Sequence, residues 1–139
     1  MPAVLRLVAF LLLLTVTAAP LRAVAQEAPP AQIAWRLLDY IAVDYPGAVQ
    51  DGRVVSAAEY SEMQEFAKTV QARLTSLPAT SAKASLLQGA DALATDIAGK
   101  GPPAEVAVRA RRLAAALLAA YPAPLAPATA PDLALGARL

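Results

Sequence analysis

Residues 37–66 read LLDYIAVDYPGAVQDGRVVSAAEYSEMQEF. Between positions 39 and 65 six carboxylates (Asp39, Asp44, Asp51, Glu59, Glu62, Glu65) stand against a single base, Arg53. Within or beside the block lie Trp35, Tyr40, Tyr45, Tyr60 and Phe66, five of the six aromatics that follow an apolar N-terminal leader. The chain has no histidine and no cysteine. It therefore lacks the commonest general base and the commonest transition-metal ligand. A Ser-His-Asp triad, a Cys-His pair and a Cys/His zinc site are all excluded within it. What remains is a hard-oxygen set of carboxylates and phenols, which suits calcium, magnesium, manganese or ferric iron. There is no phosphate loop, nucleophile elbow or dinucleotide fingerprint, and no residue set supports an enzymatic reaction.

Helical spacing decides which of these groups can meet. At about 100° per residue, Asp44 shares a side of a first helix with Ile33, Leu37 and Tyr40. It also lies in the last turn, where the helix dipole disfavours a negative charge. On a second helix Glu59 falls on the apolar side near Met63 and Phe66, Glu62 borders that side, and Glu65 points away. Consecutive antiparallel helices bring the end of the first beside the start of the second. Asp44, Glu59 and Glu62 are thus expected to converge, with Tyr40, Tyr45 or Tyr60 nearby. The bland alternative makes Glu59 a capping residue, Glu62 and Glu65 solvated, and the tyrosines core residues with wet hydroxyls. Met63 reads as core.

Four amphipathic helices are expected to position the block. The first covers residues 31–44, opens on Pro29-Pro30 and stops at Tyr45-Pro46-Gly47, with Ile33, Leu37, Tyr40 and Ile41 as its apolar face. Asp51-Gly52 marks a tight turn, and a small hairpin is possible around it. Ser56 with Glu59 forms a capping box for a second helix over 57–76, striped by Tyr60, Met63, Phe66, Ala67, Val70 and Leu74. A third helix, 81–100, aligns Leu86, Ala90, Leu93, Ala94 and Ile97 and ends at Lys100-Gly101. The fourth, 104–121, aligns Val106, Ala110, Leu113, Ala114, Leu117 and Tyr121. Arg109, Arg111 and Arg112 form a basic cluster on it, read as a solvated face, with anionic lipid headgroups or a partner domain as the alternative. Short connections between amphipathic helices predict an all-α, up-and-down four-helix bundle.

The ends carry different signals. Residues 1–25 have the order of a secretory signal peptide: Arg6, an apolar run, and Ala23-Val24-Ala25 before Gln26. The run is shorter than the roughly 20 residues of a membrane span. Without the leader the chain holds 10 basic and 11 acidic residues, which offers nothing to nucleic acid. The helical domain then occupies 26–121, a Pro/Ala-rich linker 122–131, and residues 132–139 read as the truncated start of a following domain.

LLDYIAVDYPGAV, then DGRVV, then AAEYSEMQEFA resembles the N-terminal exported region of bacterial high-affinity iron permeases, in the long form where a cytochrome c module follows. The tail YPAPLAPATAPDLALGARL is similar to the linker that leads into that module. The resemblance spans residues 35–139 and is most specific over 37–66. It implies an accessory periplasmic domain tethered to the inner membrane, with a membrane permease domain and a cytochrome c domain as partners in the same protein. It also implies iron as cargo, for which the helical spacing, not the resemblance, offers Asp44, Glu59, Glu62, Tyr40 and Tyr45 as candidate ligands. The chain has no Cys-x-x-Cys-His, hence no covalent haem, and no Arg-Glu-x-x-Glu motif, so it does not itself move iron. The alternatives are a non-catalytic docking spacer between permease and cytochrome, or a free-standing exported helical protein.

Overall fold

The computed structural model describes residues 29–124; the expected leader, the linker beyond Pro124 and residues 132–139 lie outside them. Four helices and one short hairpin follow in order: α1 (Pro30–Ala48), β1 (Val49–Gln50), β2 (Arg53–Val54), α2 (Ala57–Ser76), α3 (Lys83–Ala98) and α4 (Pro103–Ala120). Each helix packs on its sequence neighbours, α1 also closes on α4, and the diagonal pairs barely meet. This is the ring of an up-and-down four-helix bundle.

Pro29 caps α1 and Pro30 occupies its first turn, where a missing N–H costs nothing. The expected stop at Tyr45-Pro46-Gly47 is not where α1 ends. The helix runs through Pro46 to Ala48. A proline this close to the C-terminus forfeits one backbone bond, and the burial of Tyr45 and Ala48 holds the last turn in place. The turn's carbonyls find other donors: Val49 N–H bonds Tyr45 O, and Gln50 Nε2 bonds Pro46 O at 3.2 Å.

The hairpin pairs Val49 with Val54 and Gln50 with Arg53. Asp51 (φ 50°) and Gly52 (φ 71°) both take left-handed backbone, the geometry of a type I′ turn that matches strand twist. Ser56 then caps α2 by accepting Glu59 N–H at 3.3 Å. The return arm of the capping box does not form, because Ser56 N–H bonds Ala48 O instead. At the other end of α2, Lys83 Nζ donates to Thr75 O at 2.8 Å and Leu77 O at 2.6 Å, a cation on the negative end of a helix. The helix expected over 81–100 is shorter, Lys83–Ala98, because residues 99–101 form its cap. Gly101 N–H reaches back to Asp96 O at 2.8 Å and Lys100 N–H to Ile97 O at 3.0 Å. Lys100, at φ 53°, fills the left-handed position that glycine usually takes.

Leu38, Ile41, Tyr45, Met63, Val70, Leu74, Leu93, Ile97, Val106 and Leu117 are fully buried or nearly so, with alanines between them, and no charged residue is buried among the described residues. The stripes expected on α2, α3 and α4 are the observed ones. That of α1 is rotated: Ala31, Ala34, Leu38, Ile41, Ala42, Tyr45 and Ala48 face inward. Ile33 and Leu37 are only partly buried, and Tyr40 is 45% exposed. α1 is flanked by both α2 and α4, so its inner arc mixes Leu38, Ile41 and Tyr45 with small residues that let helices approach, while Ile33, Leu37 and Tyr40 fall at the seams.

Candidate functional site

The end of α1, the hairpin, the start of α2, the end of α3 and the start of α4 all meet at one end of the bundle. This hairpin end carries most of the acidic and aromatic block. Its chemistry is divided between surface and interior. Asp44, Glu59 and Glu62 are exposed. Among the described residues no three carboxylates gather closely enough to hold a metal ion. Glu59 is placed in the first turn of α2 by the Ser56 cap, with its carboxylate left free of the capping box. Tyr40 stands on the outer seam between α1 and α2, its ring 6.0 Å from that of Phe66 and tilted by 33°. Tyr45 is five residues further along α1, about 140° round the helix, and is wholly inside. The two tyrosines therefore face different environments and are not brought together with the three acids as a single set.

Tyr45 is the more unusual of the pair. Its hydroxyl is buried and has no hydrogen-bond partner, the only such side-chain atom among the described residues. Loss of solvent, then the charges of Tyr60 and Asp96, push its pKa from 10.0 up to about 12, so it remains a neutral phenol. Tyr60, in the first turn of α2, reaches across to the end of α3 and donates to Ile97 O at 3.0 Å and Ala98 O at 3.2 Å. Those carbonyls belong to the last turn, which carries the negative end of the helix dipole. Asp96, one residue earlier, pairs through Oδ2 with Arg109 Nε of α4. Tyr60 of α2 and Arg109 of α4 are thus both tied to the end of α3. Tyr60 was expected near the acids, not on the end of α3, and Asp96 was not singled out from sequence. The signal that existed was Asp96 sitting just before a Gly-Lys-Gly cap.

The basic cluster is solvent-facing as expected: Arg109, Arg111 and Arg112 are exposed. Arg109 and Arg112 line an open cleft of ≈ 590 Å³ between α3 and α4, floored by Gly89, Val108 and Leu113. Gly89 lets the two helices approach closely, since a Cβ there would stand 3.0 Å from Leu113 Cδ1.

The sequence that builds this four-helix ring matches a known family. The model of the iron permease-associated 4-helix bundle domain covers residues 20–124. The chain belongs to that family. No curated protein and no solved structure matches it. Iron permease-associated domains are not a catalytic family. The family links the domain to membrane transport of iron, and among the described residues no helix is long and apolar enough to cross a membrane.

Proposed function

We propose that this domain is an exported accessory module that gathers iron for the membrane part of an iron permease. Membership of the iron permease-associated family is the observation that carries the reading. The exposed acids of the hairpin end support it: Asp44, Glu59 and Glu62 make an electronegative surface that draws cations, with Tyr40 on the same seam and Tyr45 beneath it. Iron is cargo here, bound and released. The permease domain and a cytochrome c module, joined to this domain in one protein, are its partners. Iron titration onto the 139-residue chain tests the capture step, with Glu59→Gln/Glu62→Gln alongside. Unchanged iron binding in that double variant removes the surface acids from the mechanism. A second reading, a docking spacer that binds no metal, is favoured by the exposed apolar side chains Tyr40, Val43 and Val55 around the hairpin. Under that reading iron leaves the melting temperature unchanged, whereas a ligand of the native state raises it.

A further inference from the structure

We propose that the outer face of α4 is a self-association surface, on which a second copy of this chain docks antiparallel about a two-fold axis beside Val108. The proposal is independent of the iron-capture reading, which concerns the exposed acids of α1 and α2.

The first support is an apolar residue at the centre of an open cleft. Val108 is 46% exposed, on the cleft floor with Gly89 and Leu113. Gly89 has no side chain, so α3 does little to close the cleft over its neighbours. A lone exposed valine means little, but its flanks give this one a direction.

The second support is the charge pattern. Glu105, Val108, Arg109 and Arg112 all line the cleft. They stand at i, i+3, i+4 and i+7, and so form one stripe along α4. Arg109 is neutralised within the chain by Asp96. Glu105 and Arg112 are exposed, and neither has an ion pair or a hydrogen bond among the described residues. Seven residues separate them by about 10.5 Å along the helix, too far to pair with each other. The stripe therefore runs from an acid, past an apolar and a neutralised position, to a base.

That order is self-complementary. Lay a second stripe against it in the opposite direction, and Glu105 of each copy meets Arg112 of the other. Val108 of each copy then packs under the alkyl stem of the other's Arg109. Such reciprocity is what a two-fold contact between identical surfaces requires. An anionic lipid surface, by contrast, is opposed by Glu105 on the same stripe. α4 has 18 residues, about 27 Å of helix, and the exposed Ala115 and Ala116 let a second helix approach along it. Two antiparallel α4 helices, each with its own α3 outside, continue the up-and-down packing of the bundle across the axis. One valine at the centre and ion pairs at the rim make a weak, salt-sensitive dimer.

The test is sedimentation equilibrium of the 139-residue chain over micromolar concentrations, at low and high salt. The expected result is a monomer–dimer equilibrium that shifts towards monomer as salt rises. Arg112→Glu should weaken dimerisation by at least about tenfold, since one substitution turns two symmetry-related attractions into repulsions. Glu105→Arg/Arg112→Glu puts opposite charges back across the axis and should return the affinity to within about threefold of wild type. Equimolar Glu105→Arg and Arg112→Glu chains should pair with each other more tightly than either pairs with itself. Unchanged helical circular dichroism shows that the variants fold. A wild type that stays monomeric throughout overturns the inference. So does a dimer indifferent to Arg112→Glu, whose interface then lies elsewhere. A double variant as weak as Arg112→Glu alone overturns it too, because the two charges then do not face each other across an axis.

Discussion

Tyr45→Phe makes a sharp prediction even in the absence of metal. The ring is fully buried and its hydroxyl unpartnered, so the change keeps the packing and removes a desolvated polar group. Such groups cost roughly 1–3 kcal/mol. At neutral pH the variant is expected to be more stable by about 1 kcal/mol, the lower end of that range, which raises Tm by about 4–8 °C in a domain of this size. Alkaline pH enlarges the difference. Burial, then the charges of Tyr60 and Asp96, raise the pKa of Tyr45 from 10.0 to about 12. Between those values the unfolded chain has released the proton and the folded chain retains it, so stability falls as pH rises. Below pH 10 the group titrates in neither state and contributes no slope. A shift of this size corresponds to roughly 2–3 kcal/mol. Urea unfolding of both proteins, from neutral pH to about pH 12, gives the gap between them. Taking the difference cancels the lysines and the other tyrosines, which titrate in both. The gap should hold near 1 kcal/mol up to about pH 10 and widen to about 3–4 kcal/mol by pH 12. A gap that stays flat through pH 12, or a phenylalanine variant less stable than wild type at neutral pH, refutes the reasoning.

Three further outcomes test the frame around that residue. Ser56→Ala removes the hydroxyl that accepts Glu59 N–H and should lower unfolding free energy by about 1 kcal/mol, measurable by the same urea titration. Gly52→Ala places a Cβ on left-handed backbone at φ 71° and is expected to lose about 1–2 kcal/mol, with no change in the near-ultraviolet signal of the core; wild-type stability would contradict the type I′ turn. Leu38→Ala, at a fully buried position, should cost about 2–5 kcal/mol, and Leu37→Ala, on the partly exposed seam, clearly less. Reversal of that order would mean that α1 has the phase expected from its large apolar residues.

The bundle was legible because its signals are local and agree with one another. Prolines at the helix starts, Ser56 as a cap, Asp51-Gly52 as a turn and heptad-like stripes on α2, α3 and α4 all act within a few residues. The structure uses each of them. Two features depended on tertiary packing. Pro46 reads as a stop by its own chemistry, yet the helix continues past it because Tyr45 and Ala48 are buried. The face of α1 was placed by its large residues, Ile33, Leu37 and Tyr40. The helix instead turns Leu38, Ile41 and Tyr45 inward, with alanines at 31, 34, 42 and 48 among them, whose contribution is close approach rather than transfer energy.

That rotation explains why the structure separates residues that the block sets close together in sequence. Composition alone locates a concentration of oxygen donors. Which donors share a site depends on helix phase and on what arrives from elsewhere in the chain. Tyr40 and Tyr45 lie about 140° apart on any α-helix, so placing one on the seam puts the other in the interior. The charges that act on Tyr45 come from Tyr60 and Asp96, and Tyr60 itself is tied to the backbone carbonyls of Ile97 and Ala98. Neither Asp96 nor those carbonyls carry a local pattern that connects them to the block, and carbonyl oxygens have no side-chain signature at all. The acids stand outside and the Tyr45 phenol inside. The exposed carboxylates set the long-range potential that a cation meets first. Tyr45, sealed from that surface with its hydroxyl unpartnered, belongs to the core instead.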